Sequence, residues 1–97
     1  MASSKEFRDY VLEQLRDLQN VTFKSMMGEY LFYYQGILFG GAYDDRFLIK
    51  KTKSNEKYLL EEDVPYEGAK PMFVVGNLED SEYLKNLIIT TCKDLEW

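Results

Sequence analysis

From Met26 to Lys51 the chain reads MMGEYLFYYQGILFGGAYDDRFLIKK, short apolar runs cut by turn-forming residues. Tyr30 to Tyr34 is dense in aromatic and branched residues that suit a pleated surface. Gln35-Gly36 then predicts a tight turn, since Gly takes the positive φ that two-residue hairpin loops need. Ile37-Leu38-Phe39 resumes the strand, and Gly40-Gly41 is expected to interrupt it with a bulge or a close backbone approach. Asp44-Asp45 predicts the next turn, and Arg46 to Lys50 the next strand. Tyr30, Phe32 and Tyr34 share one face of their strand; Leu31 and Tyr33 share the other. Both faces carry large side chains, so the pattern does not say which one is wet.

Before this block, Phe7, Val11, Leu15 and Leu18 recur at helical spacing, with Lys5, Asp9, Glu13 and Arg16 opposite. The spacing predicts a helix over 4–18, with Ser3 as N-cap and Glu6 closing a capping box. Val21 to Met26 alternates as a first strand, and Gly28 marks a bend or bulge. After the block, Ser54 suits the N-cap of a short helix over 55–62. Asp63 to Gly68 reads as a loop, and Pro71 to Val75 as a strand with proline at its first position. A last helix starts at Asp80 or Ser81, with Leu84, Leu87, Ile88, Cys92 and Leu95 on its apolar stripe. The expected fold is α+β. An antiparallel sheet of about five strands carries an N-terminal helix, a short middle helix and a C-terminal helix.

Length and composition narrow the chemistry. Ninety-seven residues, 45% hydrophobic and 15% aromatic, make one packed domain. The net charge of −5 argues against broad contact with nucleic acid, which needs Lys and Arg to neutralise phosphates. The chain has no histidine, which removes Ser-His-Asp catalysis, imidazole metal sites and the usual switch near neutral pH. The single Cys92 cannot form an internal disulfide and fits a reducing compartment. The opening residues lack the apolar run of a signal peptide, and no stretch is long and apolar enough to span a bilayer. A cytoplasmic, soluble protein without membrane contact is expected.

Candidate sites are few. Cys92 sits in an apolar stripe and reads as a small hydrophobe rather than a nucleophile. Asp44 and Asp45, with Glu29 or Glu67 and nearby tyrosines, offer a metal or small-molecule site, but Asp is also a common turn former. Glu61, Glu62 and Asp63 read as solvated. Gly36, Gly40 and Gly41 match no phosphate-binding loop and suit strand geometry instead. Lys50, Lys51 and Lys53 form the basic cluster on which direct DNA binding would rest. The aromatic series could stack single-stranded bases, but such platforms lie in positive grooves. No catalytic residue, cofactor site or metal site is expected.

The ordered segments resemble a known family. Lys5-Glu6-Phe7 to Asp17-Leu18 is similar to the first helix of the TfoX/Sxy N-terminal domain, found in regulators of bacterial competence. Lys24 to Tyr30 resembles that family's basic-x-Met-Phe-Gly segment, with Met27 where Phe is usual. Tyr33 to Phe39 resembles its x-Gly hairpin, and Asp44 to Lys50 its strand from Asp to Lys. The stretch from Ser54 to Pro71 looks shortened and divergent. The resemblance covers essentially the whole chain and implies an α+β domain without enzyme activity. Full-length members act with the cyclic-AMP receptor protein on DNA-uptake genes and carry a second, C-terminal domain.

One such domain over 1–97 is therefore expected here, with no C-terminal TfoX domain. The expected function is that of a non-enzymatic interaction module, a transcriptional co-regulator acting through protein contacts. Its expected contact surface is Lys24, Met26, Met27, Tyr30 and Lys50. A protein partner is expected, direct nucleic-acid binding is disfavoured, and a homodimer is an open alternative because an unpaired sheet edge invites a second copy.

Overall fold

The fold is taken from a computed structural model that describes residues 3–96. Its elements in chain order are α1 (Lys5–Gln14), β1 (Val21–Met26), β2 (Glu29–Tyr34), β3 (Ile37–Tyr43) and β4 (Arg46–Ile49). A short 3-10 helix (Ser54–Tyr58) follows, then β5 (Glu61–Asp63), β6 (Met72–Val74) and α2 (Ser81–Leu95). The strands form one antiparallel sheet in the order β1-β2-β3-β4-β6-β5. The α+β reading holds, with six strands rather than about five.

Three two-residue turns build the first four strands. Met27-Gly28, Gln35-Gly36 and Asp44-Asp45 all take positive φ, between 52° and 88°. Two successive positive values give a turn whose twist matches that of the paired strands. Gly28 is therefore a hairpin-turn residue, not a bend or bulge. Gly40-Gly41 does not interrupt β3, which runs on to Tyr43. Phe32 pairs with Gly40 and Tyr33 with Leu38, so Phe39 is the extra residue of a bulge. Both glycines mark close backbone approach. A Cβ at Gly40 would lie 2.2 Å from the Leu48 carbonyl oxygen, and one at Gly41 2.4 Å from that of Tyr30.

One face of the sheet makes the core. Strand parity puts Tyr30, Phe32, Ala42, Phe47, Ile49 and Phe73 on it. The rings of Phe32, Phe39 and Phe47 pack with centroids 5.8–6.4 Å apart. Val11, Leu15 and Leu18 join them from the N-terminal segment, and Leu84, Leu87, Ile88 and Cys92 from α2. Full burial of a side chain such as Phe32 or Leu87 contributes roughly 1.5–3 kcal/mol. The first helix is shorter than its periodicity suggests. It stops at Gln14, and Leu15 and Leu18 reach the core from tightened turns in which Leu18 N–H donates to the Leu15 carbonyl. Asn20, at φ 64°, turns the chain into β1.

The caps also differ from expectation. Ser4, not Ser3, is the N-cap of α1, its hydroxyl accepting from Phe7 N–H at 3.0 Å. Ser3 instead ties the first residues to two hairpin turns. Its N–H donates to Glu29 Oε1, and its hydroxyl accepts from Asp45 N–H, both at 3.0 Å. The middle helix spans Ser54–Tyr58, and Ser54 bonds Asp94 of α2 rather than capping it. Glu61–Asp63 lies in the sheet as edge strand β5. Asn55, fully buried, donates to the Lys50 carbonyl and Thr91 hydroxyl and accepts from Thr52 N–H, each at 2.9 Å. That side chain fixes the end of β4 against α2.

Candidate binding surface

Among the described residues both α-helices pack on the core face, and no α-helix lies over the second face of the sheet. Parity assigns it Thr22, Lys24 and Met26 from β1, Leu31 and Tyr33 from β2, and Leu38, Gly41 and Tyr43 from β3. Arg46, Leu48, Met72 and Val74 continue it. Over β1 and β2 this face stays partly open. Leu31, Tyr33 and Leu38 are half-buried, and Met26 is exposed. The Lys24 ammonium lies 5.5 Å from the centre of the Tyr33 ring, which covers part of that ring with a cation.

Over β3, β4 and β6 the same face is covered by the loop between β5 and β6. Arg46 holds that loop down. Its Nη1 donates to the Val64 carbonyl at 3.1 Å and to Asp63, its Nη2 to the Pro65 carbonyl at 3.4 Å, and its Nε to the Tyr43 carbonyl at 3.2 Å. Beneath the loop Leu48 is fully buried and Tyr43 nearly so. Burial, together with the nearby Tyr66, Glu29 and Tyr33, raises the ionisation of the Tyr43 phenol above the usual tyrosine range. It remains a neutral hydrogen-bonding group at physiological pH.

Where loop and strand do not close on each other, a cleft of about 650 Å³ remains. Leu38, Tyr43 and Met72 line it from the sheet, and Pro65 and Tyr66 from the loop. Lys50, half-buried, and Lys70, exposed, also line it. Lys51 also borders it, but its ammonium is 2.9 Å from Glu62 and 5.6 Å from the Phe73 ring centre. Among the described residues neither Lys50 nor Lys70 is ion-paired. A largely apolar lining with lysines in it is an arrangement that suits binding.

The residues singled out from sequence do not form one patch. Lys24, Met26 and Met27 cluster at the free end of the β1–β2 hairpin, where Met27 is 96% exposed. Tyr30 is 8% exposed and belongs to the core, edge-on to Phe23 and under the Arg8 guanidinium, so it offers no contact surface. Lys50 lies apart from the hairpin tip, at the cleft. Asp44 and Asp45 serve the turn: Asp45 accepts from Ser4 N–H at 2.8 Å, and Asp44 N–H donates to Glu29 at 3.1 Å. Among the described residues no group of three or more acids or cysteine is placed to hold a metal ion. Burial pushes the Cys92 thiol up to about 11, helped by the charge of Glu96.

The cleft residues Leu38, Tyr66, Lys70 and Met72 carry no motif. A signal was present, however. Pro65 to Met72, the end of the β5–β6 connection and the first residue of β6, holds a tyrosine, a methionine and two prolines. Among the described residues no helix is long and apolar enough to cross a membrane. A family model described as the TfoX N-terminal domain matches residues 13–85, which take in the whole sheet and the cleft. A search of curated proteins found no match.

Proposed function

The chain belongs to the TfoX N-terminal domain family, and from that premise we propose that it is a non-enzymatic interaction module of the cytoplasm. It acts as a transcriptional co-regulator through protein contacts, with no direct hold on DNA. The supporting observation is the open sheet face, where Met26, Leu31, Tyr33 and Leu38 remain partly exposed beside a helix-covered core. A contiguous apolar face with a polar rim is how a partner surface is normally marked. A photo-cross-linking residue at Tyr33, with one at Glu82 on α2 as control, tests this in cells. Discrete protein adducts from position 33 and none from 82 are expected. A folded chain that gives no adduct from the open face would overturn the proposal.

The free edge of β1 favours a second reading, pairing with another copy. Phe23 and Met26 are exposed on that edge strand. Sedimentation at micromolar concentration separates the two, since self-pairing requires a dimer without any other protein.

A further inference from the structure

We infer that the cleft between β3–β4 and the 65–72 loop takes an acidic peptide segment whose bulky apolar side chain enters between Leu38 and Met72. This rests on the reading that the chain works through protein contacts, and it names the kind of partner.

The volume of about 650 Å³ lies within the range of roughly 300–1,000 Å³ that ligand pockets occupy. The layout favours a peptide over a metabolite. A metabolite site sets polar groups deep and convergent to fix a small molecule from several sides. Here most of the lining is apolar, and of its lysines Lys70 is exposed and Lys50 half-buried, so neither charge is sealed deep in the cleft. Tyr66, 62% exposed, stands beside them. Such a site suits one buried anchor with flanking groups that stay partly wet. Met72 in the wall can adjust its rotamers to the shape of the anchor.

Charge decides the flanks. The chain carries −5 overall, so most of its surface repels an acidic segment. Lys50 and Lys70 are an exception, and both are unpaired among the described residues. The same arrangement that draws acids to the cleft therefore turns them away elsewhere. A basic or neutral segment gains nothing from these lysines.

The probe is a short synthetic peptide with a central Phe flanked on both sides by Asp and Glu. It is titrated into the ¹⁵N-labelled full chain at low salt. Amide shifts confined to Leu38, Tyr66, Lys70, Met72 and their neighbours are expected. The K50E/K70E double variant, with one change at an exposed and one at a half-buried position, should keep its spectrum away from the cleft and bind about tenfold more weakly. No shift at the cleft with millimolar peptide overturns the inference. So does equal binding by a peptide with Lys in place of the acids, or undiminished binding by K50E/K70E. Indole-3-acetate binding as tightly as the peptide would make this a small-molecule site, and equal binding of short oligothymidylate a nucleic-acid site; either result overturns it. If cross-links from Tyr33 persist while the peptide fails, only this inference falls. If the cross-links are absent too, the interaction reading falls with it.

Discussion

Replacing Gly40 by alanine should damage the chain more than its single added methyl suggests. The new Cβ would stand 2.2 Å from the Leu48 carbonyl oxygen and 2.8 Å from Ile49 Cα. Both are backbone atoms of β4, and Gly40 pairs directly with Ile49. No rotamer change can relieve the overlap. Either β4 moves away or the bulge at Phe39 is rebuilt, and Phe39 is fully buried between Phe32 and Phe47. Overpacking of this kind costs about 1–3 kcal/mol, and losing one or two ladder hydrogen bonds adds about 1 kcal/mol each. The sum, about 2–5 kcal/mol, is a large share of the roughly 5–15 kcal/mol that holds a domain folded. At about 4–8 °C per kcal/mol, Tm should fall by at least about 8 °C. The control is Gly76→Ala, where a Cβ meets nothing within 4 Å. It should leave Tm unchanged or raise it slightly, because alanine restricts the unfolded chain. Calorimetry of both variants checks the contrast. A Gly40→Ala protein melting within about 3 °C of the parent would show that β3 and β4 are not as close as described.

Other outcomes follow from single side chains. Arg46→Met keeps the aliphatic stem but removes the donors to Val64 and Pro65. With the ion pair to Asp63 partly exposed, the loss should be about 1–2 kcal/mol. A glutamyl endopeptidase should then cut at Glu67 faster; an unchanged rate would refute the role of Arg46 as the loop's brace. Cys92, with its thiol pushed up to about 11 and 3% exposed, should resist thiol reagents at neutral pH until the chain unfolds. Rapid labelling of the native chain would contradict that burial. Asp63 and Asp94 should titrate below the usual carboxylate range. Asp63 is held there by the Val64 N–H and then Arg46, Asp94 by the Ser54 N–H and then the Thr52 and Ser54 hydroxyls. Depressed folded-state values mean that their contribution is present above about pH 4 and lost as pH falls through the folded-state values. The stability gap between parent and Arg46→Met should therefore narrow on acidification, and a gap that widens would reverse the assignment.

The hairpins at Gln35-Gly36 and Asp44-Asp45 are legible in the sequence because their determinants are local, whereas the turn at Met27-Gly28 reads as a bend or bulge. Glycine in the second turn position, or Asp44-Asp45, sits between aromatic runs, and short range physics decides the outcome. Strand β5 was not legible for the opposite reason. Glu61-Glu62-Asp63 has no apolar alternation and reads as helix or loop. It lies in the sheet because β6 offers a ladder and because Arg46 of β4 and Lys51, just beyond β4, meet Asp63 and Glu62. Tyr30 shows a third case. Its parity with Phe32 was readable, but a strand bulky on both faces does not disclose which face the helices will take.

That same ambiguity accounts for the cleft. Two helices cover most of one apolar face of the sheet, so any cover on the other face comes from something smaller. The 65–72 loop covers Leu48 and Tyr43, pinned by Arg46 at one end and leading into β6 at the other. A loop held only at its ends cannot follow a twisted sheet closely, and the bulge at Phe39 adds local twist to β3 beneath it. The mismatch leaves space beside Leu38, where covered and uncovered halves of the face meet. The cleft is thus the seam of an incompletely covered sheet, and its lysines are placed there by the ends of β4 and the loop, not by any motif.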